Sequence, residues 1–185
     1  SFFLSRIDSH AIWVNSKALA LAGITADTTS PAGGEIVKDA QGQPTGILID
    51  NAMNLVEALL PQPDEEALTA QLDAATRHLL SVGITSMHDA GIPHSVYHFY
   101  QEQAKAHALG VRIYAMIAAT DPQLGQMLAR GHISDPSSML SIRSVKVYGD
   151  GALGSRGAAL LAPYSDDPDN HGLLVTPQEE LPQVF

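Results

Sequence analysis

Ser141-Ile142-Arg143-Ser144-Val145-Lys146-Val147-Tyr148 reads as an extended strand, with Val145 and Val147 on one face and Ser144, Lys146 and Tyr148 on the other. Working back toward the N-terminus, residues 112–118 and 84–88 are further short apolar strand candidates. Helical segments at 95–109, closed by Gly110, and at 122–129, closed by Gly131, lie between them. A βαβαβ order implies parallel strands joined by helical crossovers. The valines then pack under helices, and Lys146 turns toward the lumen near the C-terminal end of its strand, where (β/α) barrels keep their chemistry. The fold class expected is therefore α/β. An open sheet of these strands leaves unpaired edges, so the chain is expected either to self-associate through them or to complete itself with barrel segments outside residues 1–185.

A lysine turned into a barrel mouth is costly to bury as an ammonium, because desolvation favours the neutral amine. A neutral amine can form a Schiff base with a carbonyl, or take up carbon dioxide and become an anionic carbamate able to bridge two metal ions. The alternative is structural: a carboxylate partner, or a stem that snorkels to solvent.

Residues 10–22 read as a helix capped by Asp8 or Ser9 and stopped by Gly23. Residues 35–38 and 45–49 flank the turn Asp39-Ala40-Gln41-Gly42-Gln43-Pro44 as a β-hairpin. A short helix over 51–60 ends at Pro61, and a longer one opens at Pro63-Asp64-Glu65-Glu66 and runs to about residue 81.

Composition narrows the function classes. The chain has 185 residues, with 20 acidic against 10 basic side chains, and its lysines and arginines are scattered singly, so no stripe exists to neutralise a phosphate backbone. Nucleic acid is not an expected partner. No apolar run approaches the roughly 20 residues of a spanning helix, so no membrane association is expected and a cytoplasmic protein is anticipated. Cysteine is absent, which leaves His, carboxylates or a modified lysine as metal ligands.

Four segments together carry a resemblance. Val145-Lys146-Val147-Tyr148-Gly149-Asp150-Gly151-Ala152-Leu153-Gly154-Ser155-Arg156-Gly157, continued by Pro163-Tyr164-Ser165-Asp166, is similar to the branch of the amidohydrolase superfamily that includes N-substituted formamide deformylases. Asp8-Ser9-His10-Ala11-Ile12-Trp13-Val14-Asn15-Ser16-Lys17-Ala18-Leu19, Gly46-Ile47-Leu48-Ile49-Asp50-Asn51-Ala52-Met53 and Gly83-Ile84-Thr85-Ser86-Met87-His88-Asp89-Ala90-Gly91 resemble it too, in the family's order. The resemblance implies a partial (β/α)8 TIM-type barrel, about strands two to four, with an inserted helix and β-hairpin. Residues 1–62 would be the insertion and 63–185 the partial barrel. It implies hydrolysis of amide-type C–N bonds by a metal-activated water, with zinc or another divalent metal in the full-length enzyme. Lys146 matches the position of the family's often carbamylated metal-bridging lysine. No His-x-His is present, and the family's fifth-strand histidine is expected beyond residue 185. A catalytic zinc takes three protein ligands and the pattern supplies one, so this chain alone is expected to hold no catalytic metal and to be inactive.

Candidate substrate-binding residues are His10, His88, Asp89, Asp150 and Arg156. His10 could face substrate from the insertion or merely satisfy backbone at a helix start. His88 and Asp89 fall where the second barrel strand is expected to end, and could equally be a structural hydrogen-bonded pair. Asp150 and Arg156 could touch substrate or pair with each other across the glycine-rich loop. His78, His94, His98, His107, His132 and His171 read as surface histidines. His94 and His98 stand four apart, but without the Glu of a zinc-protease helix.

Two other function classes remain open on sequence. Gly149-Asp150-Gly151-Ala152-Leu153-Gly154 is a formal G-x-G-x-x-G after a strand, which would suit a Rossmann-type dinucleotide site if a helix followed over about 155–162. A non-catalytic, self-associating module is the second.

Overall fold

A computed structural model describes residues 2–184. The chain divides into two compact units, residues 1–61 with 148–185, and residues 62–147. The expected division gave 148–185 to the second segment; the structure groups these residues with the first. Among the hydrogen bonds that bind them there, Asn51 Nδ2 donates to the Val175 carbonyl over 3.0 Å.

The first unit is built on an antiparallel sheet. Strands β1 (Phe3–Ser5) and β2 (Ala11–Val14) precede helix α1 (Ser16–Leu21), and β3 (Gly34–Lys38) and β4 (Pro44–Asp50) precede helix α2 (Asn54–Glu57). The sheet order is β1-β2-β4-β3. The expected β-hairpin is β3–β4. The expected helix over 10–22 is not formed as such: residues 11–14 pair with β4, Ile12 opposite Leu48, and only then does the helix begin. Ala-Ile-Trp-Val is a β-favouring run, and Asn15 supplies the cap that the reading gave to Asp8 or Ser9, its Oδ1 accepting the Ala18 N–H at 3.1 Å. Ile12, Val14, Leu19, Ile36, Leu48 and Val56 form this unit's core. Gly46 sits at φ +92° where a Cβ would run into the Val14 carbonyl oxygen, so close approach of β2 and β4 requires glycine there.

The second unit is a sheet with helices. It runs α3 (Glu65–Ser81), β5 (Ser86–Ile92), α4 (His94–Lys105), β6 (Arg112–Ala118), α5 (Leu124–Ala129), β7 (Ile133–Ser134) and β8 (Leu140–Lys146). Its order is β5-β6-β8-β7, with β5, β6 and β8 parallel. Asp64 caps α3, its side chain accepting the Ala67 N–H at 2.9 Å, ahead of two glutamates that suit the positive end of the helix. Ile113, Ala115 and Ile117 alternate into a core with Ile92, Tyr97, Met127, Leu140 and Ile142, while Tyr114, Met116 and Ala118 lie on the opposite, half-exposed face. The two-residue β7, absent from the sequence reading, pairs antiparallel with residues 141–142, so that edge of the sheet is partly covered rather than open.

The tail runs on from β8 into the first unit. The helix that a Rossmann site would need after the glycine-rich loop is not formed: a 3-10 turn, Leu153–Ser155, ends at Arg156 in the left-handed region (φ +60°). The chain then loops back, with Leu173 N–H bonded to Gly157 O and Val175 N–H to Gly149 O, before the terminal helix α6 (Leu181–Val184). Gly172 fits beside Ala158 only because it lacks a Cβ. Without a helix after the glycines there is no helix N-terminus to receive a pyrophosphate, which removes the Rossmann reading's binding element.

Candidate functional site

In the second unit, register places the sequence-singled residues on one strand face. His88 pairs with Tyr114, Met116 with Ser144 and Ala118 with Lys146, all on the side opposite the helix-packed Ile113, Ala115 and Ile117. The register shift between Ala115 and Met116 leaves Arg143 as the extra residue and keeps Ser144 and Lys146 in phase with that face. Lys146 is half-buried and is the last residue of β8, so the alternation read from Val145-Lys146-Val147 places it as expected.

His88 and Asp89 are mid-strand rather than at the strand's end, because β5 continues through Ala90 and Gly91 to Ile92. Consecutive residues of a strand point to opposite sides. The exposed His88 ring packs against Tyr114 with centroids 5.1 Å apart. Asp89 turns toward α4, where its Oδ2 accepts the Tyr100 hydroxyl at 2.6 Å. Burial, and the hydrogen bond to Asp89, push the Tyr100 hydroxyl well above the ordinary phenol range. The two residues are therefore not partners of each other.

In the first unit, His10 lies just before β2 rather than at a helix start. Its Nδ1 stands 2.5 Å from Asp50 Oδ1, with the His10 side chain 18% and the Asp50 side chain 4% exposed. Asp50 adopts φ +46°, a left-handed conformation that aspartate tolerates better than most residues, and its N–H donates to the His10 carbonyl at 3.1 Å. Its second oxygen, Oδ2, is buried without a hydrogen-bond partner. The Tyr148 ring meets His10 edge-on at 6.1 Å. Sequence reasoning did not single out Asp50, although it stands in the family-like segment Gly46–Met53; after the apolar run Ile47-Leu48-Ile49 a buried carboxylate is unexpected.

Asp8 fastens the same loop, accepting Arg6 Nε at 2.7 Å and the His10 N–H at 3.1 Å. The hydrogen bond from Arg6, with smaller contributions from His10 and Ser155, holds its carboxyl down at about 2. Asp150 and Arg156 do not pair across the glycine-rich loop. Arg156 makes a two-point contact with Asp166, at 3.1 and 2.8 Å, and Asp150 Oδ2 accepts the Ala159 N–H at 3.0 Å. The guanidinium prefers Asp166 because that carboxylate meets its planar fork.

Among the other histidines, His78, His107, His132 and His171 are exposed, as expected. His94 and His98 are not separate surface residues: both are half-buried and their Nε2 atoms lie 2.9 Å apart. Among the described residues, no three His, Asp or Glu side chains are grouped to hold a metal ion, and no helix is long and apolar enough to cross a membrane.

The chain is similar to several known proteins. YtcJ of Bacillus subtilis (strain 168), an amidohydrolase by its name, is 34% identical over 190 residues, which is 98% of this chain and 35% of that protein. N-substituted formamide deformylase of Arthrobacter pascens is 39% identical over 93 residues, 48% of this chain and 17% of the relative. A crystal structure of an uncharacterized metal-dependent hydrolase from Pyrococcus horikoshii superposes with a TM-score of 0.67 at 26% identity, covering 98% of this chain and 35% of the other. The chain thus spans about a third of the length of the relatives it matches most fully. The family model described as Amidohydrolase family matches residues 1–185, and the chain belongs to that family.

Proposed function

We propose that residues 1–185 supply part of a metal-dependent amidohydrolase that cleaves amide-type C–N bonds with a metal-activated water. The three parallel strands would be about strands two to four of a partial (β/α)8 barrel, and residues 1–62 the family's insertion. The single observation that carries this reading is the place of Lys146: the last residue of a parallel strand, on the face away from the helices, in a chain that belongs to the family. A carbamylated Lys146 would be a metal ligand, with zinc as the ion proposed.

The residues of this chain do not by themselves fit a catalytic metal, since the described residues contain no grouped donor set beside the lysine. The remaining ligands are proposed to come from outside the chain, and no catalytic step through a metal is derived from these residues. What they can do is position. His88 offers a ring to the open strand face, and Asp89 fixes α4 through Tyr100. His10, held by Asp50, and Asp150 and Arg156 in the glycine-rich loop are proposed to contact substrate. The relative named as an N-substituted formamide deformylase supports an N-substituted amide as substrate class.

The test is hydrolysis of a panel of N-substituted formamides, other amides, esters and phosphate esters by the full-length polypeptide containing this chain, with Lys146→Gln alongside. The expected result is C–N cleavage, reduced at least about 100-fold in Lys146→Gln, since even supporting residues around metal ligands cost 10–100-fold. Ester or phosphate cleavage without amide cleavage, or full activity in the variant, overturns the reading.

A further inference from the structure

His94 and His98 on α4 belong to no part of the proposed hydrolase machinery. One turn of helix separates them, which puts both rings on one side. Their centroids are 4.4 Å apart with planes at 78°, and the Nε2 atoms face each other at 2.9 Å. The arrangement is supported from outside the helix. The His94 N–H donates to Asp121 Oδ2 at 2.7 Å, Asp121 Oδ1 accepts the Gln123 N–H at 2.7 Å, and the Gln123 side-chain amide lies 3.1 Å from His94 Nδ1. Tyr97, fully buried, packs edge-on against His98 with centroids 5.3 Å apart. Asp121 thereby ties the start of α4 to the segment that carries Gln123.

We infer that His94 and His98 form a two-nitrogen chelate for a transition-metal ion of square-planar or octahedral preference, Cu(II) or Ni(II), oriented by Gln123. The argument is metric. Imidazole nitrogen binds such ions at about 2.0–2.1 Å, so two bonds at a right angle separate the nitrogens by about 2.9 Å, whereas a tetrahedral angle requires about 3.4 Å. The observed 2.9 Å is the length of the N–H···N hydrogen bond now joining the rings, and it equals the right-angle separation, so the nitrogens stand at chelating distance once the shared proton leaves and the rings turn their lone pairs to one point. Right-angle geometry selects Cu(II) and Ni(II) over zinc, and the affinity order of divalent ions favours Cu(II) further.

Gln123 governs the protons. With its amide nitrogen toward the ring it donates to His94 Nδ1, so His94 carries its proton on Nε2 and donates to His98. Turning the amide brings its oxygen to Nδ1. The proton then resides on Nδ1, transferred through solvent, and the Nε2 lone pair is free for the metal, with no net proton lost from the ring. A second partner that fixes the tautomer is the usual support of a metal-binding histidine.

The experiment is Cu(II) titration of the chain followed by electron paramagnetic resonance, with affinity from competition against a chelator of known strength. One ion per chain should give an axial spectrum with splitting from two imidazole nitrogens. His94→Gln and His98→Gln should each weaken binding at least about 100-fold and leave one nitrogen, and Gln123→Leu about 10-fold. Lys146→Gln and His88→Gln should leave the two-nitrogen spectrum unchanged. A two-nitrogen signal that survives in the His94→Gln, His98→Gln double variant overturns the site. Should a histidine variant fail to fold, the wild-type spectrum decides: fewer than two imidazole nitrogens, or no bound Cu(II), overturns it equally.

Discussion

Replacing His10 by alanine should cost the protein about 3 kcal/mol, the upper end of the 1–3 kcal/mol range for leaving a buried polar group without its hydrogen-bond partner. The structure sets the direction of this estimate. Asp50 has a side chain only 4% exposed, one oxygen 2.5 Å from His10 Nδ1 and the other buried without a partner. Removing His10 leaves both oxygens uncompensated in the same place. Asp50→Asn keeps an acceptor for His10 and tolerates the φ of +46°, so it should cost only about 1–2 kcal/mol. The assay is urea and thermal unfolding at neutral pH for wild type, both single variants and the double variant. A melting temperature lower by about 6–12 °C is expected for His10→Ala in a chain of this size. Because the two residues touch, the cycle should show coupling of at least about 1 kcal/mol. A His10→Ala variant within about 0.5 kcal/mol of wild type, the range of ordinary surface substitutions, would refute the reasoning.

Three further outcomes follow from the geometry. Burial raises the carboxyl of Glu57 above its ordinary 4.5, so its charge opposes folding at neutral pH; Glu57→Gln should stabilise there, with the advantage disappearing as the pH falls below 4.5, seen by thermal melts across pH. Asp8 has the opposite sign: held at about 2 against an ordinary 3.8, it adds stability above about pH 4 that is lost toward pH 2, and Asp8→Asn should cost less than about 1 kcal/mol at neutral pH because the pair with Arg6 is open to solvent. Gly46→Ala should destabilise by about 2 kcal/mol more than Gly42→Ala, as measured by chemical unfolding. Both glycines have positive φ, but the added Cβ meets the Val14 carbonyl at position 46 and open space at position 42.

The second unit was legible in the sequence where burial is periodic. Arg112–Ala118 alternates so strictly that the bounds of its strand follow from the sequence, and the alternation of Val145-Lys146-Val147 gives the face of Lys146. The first unit was harder because pairing partners there decide conformation. Residues 11–14 could begin a helix by local spacing, and β4 makes them a strand. Short elements such as β1 and β7 take their form from neighbouring strands and leave no period of their own. The site residues divide in the same way. Lys146 and His88 follow from alternation, whereas the His10–Asp50 pair joins residues 40 apart in sequence, and the His94–His98 contact depends on an anchor at Asp121 that spacing does not report. Arg156 was read with the nearer acid, Asp150, and takes Asp166 instead because the loop folds back on itself.

The most direct test of the central claim is elemental analysis of the full-length polypeptide containing this chain, as wild type and as Lys146→Gln, both in the His94→Gln, His98→Gln background so that only the hydrolase centre is counted. The account predicts about one or two zinc-like ions per chain in the first protein and a clear loss in the second. Equal metal content in both, with fold retained, would contradict the assignment of Lys146 as a ligand and remove the observation on which the proposed hydrolase mechanism rests.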